Sequence, residues 1–216
     1  MNKSPQSKIG IRIVCMSDLH NIDLSYKVPA GDILIVAGDI CSVGIEDEIK
    51  DFDEFLALQN HSAKLVIAGN HDFVFEDYTP ENAKKLLKHG IYLEDDCVDI
   101  YGIKFWGSPW QPSFGGWAFN VQRRHKLAEV WAKIPSDTDV LVTHSPQHGI
   151  LDAVNGDHVG CKDLANTLQR VRPKLHVFGH IHQGYGMTKR NGTIFVNASL
   201  RDEEYKLVNQ PIVVDL

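Results

Sequence analysis

Short apolar segments alternate with helix-like segments along the chain, and this alternation constrains the fold more than any other feature of the sequence. Several apolar segments are rich in Val and Ile on both faces, as strands covered on both sides require. The predicted strands are 11–17, 33–38, 64–69, 103–108, 140–144, 175–180 and 193–199, with 211–216 as a further candidate. The predicted helices are 46–59, 80–90, 122–134 and 161–171, the second with Thr79 as its cap and Gly90 just after its end. This order predicts an α/β sandwich of mixed sheets, built as a single domain over residues 1–216.

Side chains that can bind a metal stand where five of the predicted strands end. The segments are 17-SDLH-20, 38-GDI-40, 69-GNHD-72, 142-VTHSP-146 and 179-GHIH-182. In open α/β sheets, ligands bind in the crevice beyond the carboxyl ends of the strands. The pattern therefore predicts one shared site at a sheet edge, formed by Asp18, His20, Asp39, Asn70, His71, His144, His180 and His182.

The types of these residues indicate which metal they would hold. A mixed set of Asp, Asn and His suits Mn, Fe or Zn better than Ca or Mg, which prefer oxygen ligands. These candidates exceed what one tetrahedral ion takes, so they fit two divalent ions about 4 Å apart that share a carboxylate, with Asp39 as the natural bridge. An isolated strand-end His is more often a hydrogen-bonded neighbour, but five such segments in order favour the metal interpretation.

Composition excludes several other classes of protein. The chain has 216 residues and a formal net charge of -6, which argues against a partner such as long nucleic acid. It contains no run of about 18 apolar residues, so no membrane span is predicted. Residues 1–10 are polar, without the apolar region of a secretory signal. The four scattered cysteines favour reduced thiols and a cytoplasmic location. The oligomeric state is left open.

The five motifs together resemble the calcineurin-like metallophosphoesterases. That resemblance implies a four-layer αββα sandwich of two mixed sheets flanked by helices, with two metals at the sheet edge. It assigns one metal to Asp18, His20, Asp39 and His182, and the other to Asp39, Asn70, His144 and His180. It also places His71 where the family has its general acid or transition-state hydrogen-bond donor.

Three longer segments resemble one branch of that family more closely. The segments 107-GSPWQPSFGGWAFN-120, 160-GCKDL-164 and 173-PKLHVFGHIHQGYG-186 are similar to the brain-type metallophosphoesterase-domain-containing proteins. That branch has phosphodiesterase activity on cyclic nucleotides. The segment 38-GDICSVG-44 lacks the Asp and Arg that follow Gly-Asp in phosphoprotein phosphatases, and Ser42 stands where an acid often orients the catalytic histidine. Whether Asp72 or a water orients His71 instead is left open.

The resulting hypothesis is a metal-dependent phosphodiesterase that acts on small phosphoesters such as cyclic nucleotides. A metal-bridging hydroxide would attack phosphorus in line, Asn70 would help to hold the phosphoryl oxygens, and His71 would donate a proton to the leaving oxygen. Manganese is the expected assay metal. The alternatives are a phosphomonoesterase or nuclease on the same fold, or a binding scaffold without catalysis.

Three further residues are candidates for binding the substrate. Trp110 and Trp117 belong to an aromatic cluster between two ligand strands, where a ring can stack on a nucleobase or simply pack in the core. His148 follows the His144 segment, where it is either a substrate contact or a polar surface residue.

Overall fold

The computed structural model describes residues 10–216, and these residues form strands and helices in the predicted alternation. The strands are β1 (Arg12–Met16), β2 (Ile33–Ala37), β3 (Ala63–Ile67), β4 (Ile91–Tyr92), β5 (Asp96–Ile100), β6 (Ile103–Ser108), β7 (Gln111–Pro112), β8 (Asn120–Val121), β9 (Val140–Thr143), β10 (Ala153–Val154), β11 (Asp157–His158), β12 (Leu175–Phe178), β13 (Gly186–Arg190), β14 (Thr193–Asn197) and β15 (Ile212–Asp215). The helices are α1 (Glu46–Ala57), α2 (Phe73–Asp77), α3 (Pro80–Ala83), α4 (His125–Ala132) and α5 (Lys162–Val171), with 3-10 turns at Lys84–Leu86 and His182–Gly184.

Two large mixed sheets form the centre of the fold. The first has the order β15-β1-β2-β3-β4, in which only β15 runs antiparallel to its neighbour. The second has the order β13-β14-β12-β9-β6-β5, with parallel pairs in the middle and an antiparallel pair at each edge. Two small ribbons, β7-β8 and β10-β11, lie in the connections.

The two faces of β1 pack into different cores. Val14 and Met16 belong to a cluster shared with α1, α2 and α3, whereas Ile13 and Cys15 belong to a cluster between the two sheets. A third cluster, which includes Trp131 of α4, lies between the second sheet and α4 and α5. Because side chains alternate along a strand, a strand between two layers must be apolar on both faces. The order of layers is helices, sheet, sheet, helices, which confirms the predicted αββα sandwich.

Two of the predicted helices differ from the observed ones. The segment 80–90 is helical only to Leu86, because the carboxylate of Asp53 accepts hydrogen bonds from the amides of Lys88 and His89, each at 2.9 Å, and draws the chain out of the helix. Thr79 does occupy the N-cap position, where its carbonyl accepts the first helical amides. The segment predicted to start at residue 122 becomes helical at 125, after a left-handed residue at Arg124 with φ of 73°.

Three further expectations concern a membrane span, the cysteines and a leader segment. Within residues 10–216, no helix combines the length and apolarity needed to cross a bilayer. All four cysteines are free thiols, of which Cys97 is exposed and the other three are buried. The prediction about a leader in residues 1–10 falls on residues that lie, except for Gly10, outside the described ones.

Candidate metal centre

Five strand ends meet at one edge of the sandwich. β1, β2 and β3 are parallel and end there in the first sheet, and β9 and β12 are parallel and end there in the second. The two sheets are joined at this point, since Ser17 after β1 pairs with Ser199 after β14. The predicted ligands are therefore delivered by both sheets to the seam between them.

Three groups of ligand atoms lie close enough together to hold cations. Within each group the donor atoms are all within 4.8 Å of one another. The groups are Asp18 with His20 and His182, His20 with Asp39 and His71, and Asp39 with His144 and His180. Asp39 belongs to two of the three groups, so its carboxylate joins one half of the site to the other.

The backbone adopts an uncommon conformation at most of these residues. Asp18, His20, Asp39 and His180 have positive φ angles of 55°, 41°, 51° and 65°. Non-glycine residues pay strain of about 1–3 kcal/mol each for sparsely populated backbone regions, and such residues cluster at functional sites. The amides of the site hold the carboxylates in return: His180 donates to Asp18 at 3.0 Å, and His71 donates to the Oδ1 of Asp39 at 2.9 Å.

Backbone carbonyls fix the proton position on three of the imidazoles. The Nδ1 atoms of His20, His144 and His182 donate to the carbonyl oxygens of Cys41, Ala37 and Asp202, at 3.1, 2.9 and 2.7 Å. In a neutral imidazole the other nitrogen then carries a lone pair. This second hydrogen bond is the usual way in which a protein orients a metal-binding histidine.

Each of these lone pairs faces another acceptor. The Nε2 of His182 is 3.4 Å from Asp18, and the Nε2 atoms of His20 and His144 are 3.7 and 3.3 Å from Asp39. The Nε2 of His144 is also 2.9 Å from the Oδ1 of Asn70. Among the described residues, the Nε2 of His20 has no hydrogen-bond partner although it is buried. Buried acceptors that face one another are costly without a cation, so the residues fit bound metal ions.

The ionisation of the site agrees with this fit. Burial opposes charge on Asp18, but the hydrogen bond and charge of His182 lower the pKa of this carboxyl to about 2. Burial likewise opposes charge on His144, yet the charge of Asp39 raises the pKa of this imidazole to about 9. The Asp18 carboxylate thus stays ionised, and the raised pKa of His144 shows that the Asp39 side of the site also attracts positive charge, which a proton supplies when no metal ion is bound.

His71 is oriented by a carbonyl rather than by an acid. Its Nδ1 donates to the backbone oxygen of Ser42 at 2.8 Å. The Ser42 loop is held in turn by Glu48, whose carboxylate accepts the amides of residues 42–45 at 2.7 to 3.3 Å. Asp72 has a different function: its buried carboxylate accepts the amides of Ile40, Cys41 and Gly69, and burial with the charge of Asp39 raises its pKa to about 6.

A family model described as calcineurin-like phosphoesterase matches residues 11–184 of this chain. The chain belongs to the calcineurin-like phosphoesterase family. Family members use divalent metals to hydrolyse phosphoesters, and the convergent Asp and His residues form candidate metal sites for that chemistry.

Comparison with individual proteins supports the predicted branch. The chain is 44% identical over 230 residues to metallophosphoesterase domain-containing protein 1 of Homo sapiens, covering 95% of this chain and 71% of that protein. A UPF0046 protein of Caenorhabditis elegans is 40% identical over 245 residues, covering 99% of this chain and 62% of that protein. A solved crystal structure superposes with a TM-score of 0.69 over 95% of both chains at 15% identity, which shows the same fold.

A cavity of about 430 Å³ opens beside the metal centre of this phosphoesterase. Its walls include Asp39, His71 and His180 on one side and apolar residues such as Phe114 and Val159 on the other. Trp117 also lines it, with its ring centroid 4.2 Å from that of His71. Of the three predicted substrate contacts, Trp117 is therefore the one that lies at the site.

The other two predicted substrate contacts lie elsewhere. The lining of this cavity, within the described part of the chain, includes neither Trp110 nor His148. The indole nitrogen of Trp110 donates to Asp95 at 3.2 Å, and its ring packs edge-on against Phe119, as the core-packing alternative predicted. His148 lies next to His158, with ring centroids 5.6 Å apart, beside a separate cavity. The structure therefore does not bring these two residues to the cavity beside the site, and their contact with substrate stays a prediction.

The structure also adds residues that no motif marks. The turn 201-RDEEY-205 after β14 crosses the metal centre, and Tyr205 places its ring 4.9 Å from that of His20. Asp202 of this turn supplies the carbonyl that orients His182. The turn contains no glycine and follows no predicted metal ligand. Only the closeness of β14, the strand before it, to 179-GHIH-182 in the sequence could have suggested its position.

Replacing Gly69 by Ala should remove metal binding while the sandwich remains folded. An added Cβ would lie 2.3 Å from the Oδ1 of Asp39 and 2.8 Å from the Cε1 of His144, so it would displace both ligands. We expect bound manganese, measured by elemental analysis, to fall at least severalfold, with little change in far-UV circular dichroism. Gly116→Ala is the matched control, since a Cβ there would meet no described atom within 4 Å. Full metal content in the Gly69 variant would contradict the crowding seen around Asp39.

Replacing Glu48 by Gln should slow turnover without loss of metal. The change puts an amide group against backbone amides that now donate to a carboxylate, which loosens the loop that holds His71. We expect kcat to fall about tenfold while KM and metal content change little. Glu54→Gln, exposed on the same helix, is the control. An unchanged kcat would mean that the Ser42 loop keeps its position without Glu48.

Proposed function

We propose that the chain hydrolyses small phosphodiesters, cyclic nucleotides among them, at a centre of two divalent metal ions. The observation that carries this proposal is the position of the Asp39 carboxylate. Its Oδ2 faces the Nε2 of His20, and its Oδ1 faces the Nε2 of His144, at 3.7 and 3.3 Å. A carboxylate with one oxygen toward each set of imidazoles is suited to bridge two ions.

The remaining ligands divide around Asp39 into two sets. We assign Asp18, His20, Asp39 and His182 to one ion, and Asp39, Asn70, His144 and His180 to the other. Two of the three groups of donor atoms match these sets, and the Oδ1 of Asn70 lies 2.9 Å from the Nε2 of His144. Imidazole and carboxylate ligands suit manganese, iron or zinc. When bound, such ions supply Lewis acidity toward the phosphoryl oxygens and lower the pKa of water.

His71 is the residue that we assign to the leaving group. Its ring lines the cavity beside the metal ligands, and its Nδ1 proton is committed to the Ser42 carbonyl. The Nε2 is then the atom that holds or releases a proton toward the departing oxygen. Because the ring is also packed against Trp117, its orientation is set before substrate binds.

The shape of the main cavity supports a small substrate with an organic ester group. Its volume of about 430 Å³ matches that of a small-molecule site, and its apolar walls would exclude water from such a group. Trp117 offers an aromatic face at the inner end, where a nucleobase could stack. The net charge of -6 disfavours long nucleic acid, and the free thiols favour a cytoplasmic location.

A substrate panel tests the proposed reaction class. The manganese-loaded protein should hydrolyse bis(4-nitrophenyl) phosphate and cyclic nucleotides, in both 2′,3′ and 3′,5′ forms, with kcat/KM at least about tenfold above that for 4-nitrophenyl phosphate. Removal of metal with a chelator should abolish hydrolysis, and manganese should restore it better than calcium, which prefers oxygen ligands. A preference for the monoester would overturn the phosphodiesterase assignment.

His71→Ala should lower kcat by about 100-fold or more, because a positioned general acid contributes about that factor. The measurement is steady-state hydrolysis of a cyclic nucleotide, whose alkoxide leaving group needs a proton, with metal content determined on the same samples. His125→Ala, exposed at the start of α4, is the control. If metal content fell in parallel with activity, His71 would be a metal ligand rather than the acid.

A further inference from the structure

A second cavity lies beside His71, next to the one already described. It has a volume of about 340 Å³ and is lined by His20, Ser42, His71, Arg201 and Tyr205. His71 and Tyr205 line both cavities, so the two spaces meet at the candidate acid. A phosphodiester has two ester groups, and a site with two adjoining spaces can receive both.

Arg201 gives the second cavity its charge. Its Nε, Nη1 and Nη2 atoms donate to the carbonyl oxygens of Leu19, Tyr205 and His20, at 2.8, 2.8 and 3.0 Å. A guanidinium has five N–H donors, so two of them are not used by these contacts. The side chain is thus held in a fixed position at the cavity wall, and two of its N–H groups remain free to donate to a ligand.

The charge of Arg201 is not neutralised by the protein around it. Burial lowers the pKa of this guanidinium, and within the described residues it forms no ion pair with a carboxylate. The nearest acid in sequence, Asp202, accepts the amides of Glu204 and Lys206 through its Oδ1. A partly buried cation that has no carboxylate partner and keeps free N–H donors at a cavity wall is suited to bind an anionic group of a ligand.

We propose that Arg201 forms an anion subsite for a negatively charged group on the substrate, separate from the phosphate that is cleaved. The inference rests on the proposed function and specifies it further. The preferred substrate is a phosphodiester in which one ester group carries a carboxylate or a second phosphate. That group lies in the cavity of Arg201 and Ser42, while the other ester group lies against Trp117.

A structural function of Arg201 makes a different prediction. Two of the carbonyl contacts, to Leu19 and His20, join the 201–205 turn to the segment after β1, and the third, to Tyr205, lies within the turn. Arg201 could therefore act only by holding Tyr205 and the His182 carbonyl partner in place. In that case its replacement would affect charged and neutral substrates equally. Discrimination between the two is therefore the property to measure.

The first experiment compares two esters of equal shape. The substrates are 4-nitrophenyl 4-carboxyphenyl phosphate and 4-nitrophenyl 4-carbamoylphenyl phosphate. The first carries one more negative charge than the second. For the manganese-loaded protein we expect kcat/KM to be about tenfold higher for the carboxylate, and the ratio to approach one in Arg201→Gln. Lys206→Gln is the control, since it removes a charge from the residue that follows this turn and does not line the cavity.

The second experiment needs no turnover. Calorimetric titration of the manganese-loaded protein with 4-carboxyphenylphosphonate and 4-carbamoylphenylphosphonate should give about tenfold tighter binding of the carboxylate in the wild type. Arg201→Gln should lose this difference, and Arg201→Lys should keep part of it. Metal content and thermal unfolding of each variant show whether it is damaged. If Arg201→Gln is damaged, the binding difference kept by Arg201→Lys and the weakening of that difference by salt in the wild type replace it as the test.

The outcomes separate this inference from the proposed function. Equal ratios in the wild type and Arg201→Gln, with both diesters hydrolysed, would reject the anion subsite and leave the phosphodiesterase standing. Hydrolysis of neither diester, with tight and Arg201-dependent phosphonate binding, would reject the reaction and keep the subsite. A wild-type preference for the carbamoyl compounds would overturn the subsite directly.

Discussion

The carboxylate of Asp39 is the interaction on which the rest of the site depends. It is buried between two sheets, receives the His71 amide, and faces imidazoles from both halves of the centre. The surrounding chain makes room for it: a Cβ on Gly69 would lie 2.3 Å from Asp39, and Gly38 is left-handed with φ of 91°. Close packing of backbone around one anion therefore fixes the separation between the two ligand sets.

Backbone carbonyls orient the imidazoles that surround this carboxylate. Carbonyls of Ala37, Cys41 and Asp202 take the Nδ1 protons of His144, His20 and His182, and the Ser42 carbonyl takes that of His71. All four rings are thus oriented by main chain rather than by acids. Their orientation follows from the fold itself, so no acidic side chain is needed at Ser42 to orient His71.

Much of the fold could be predicted from the sequence, because strands buried on both faces and glycines before polar ligands leave strong local patterns. The same holds for the ligand set, whose members lie at strand ends that parallel pairing must bring together. Long-range contacts left no such pattern. The hydrogen bonds from Lys88 and His89 to Asp53 end one helix earlier than the sequence predicts. The indole of Trp110 donates to Asp95 and does not line the cavity beside the site. The turn at Arg201 reaches the metal centre only through the order of strands in the second sheet.

The position of the site at a seam links metal binding to the joining of the sheets. Asp18, His20 and Asp39 follow strands of the first sheet, whereas His144, His180 and His182 follow strands of the second. An ion bound by residues from both sheets binds the folded state and not the unfolded chain, so it stabilises the sandwich in proportion to the logarithm of its concentration. The apolar core between the sheets holds them together without the ion, and a bound ion would add to the stability of the seam. The metal ligands therefore contribute both to catalysis and to the stability of the folded sandwich.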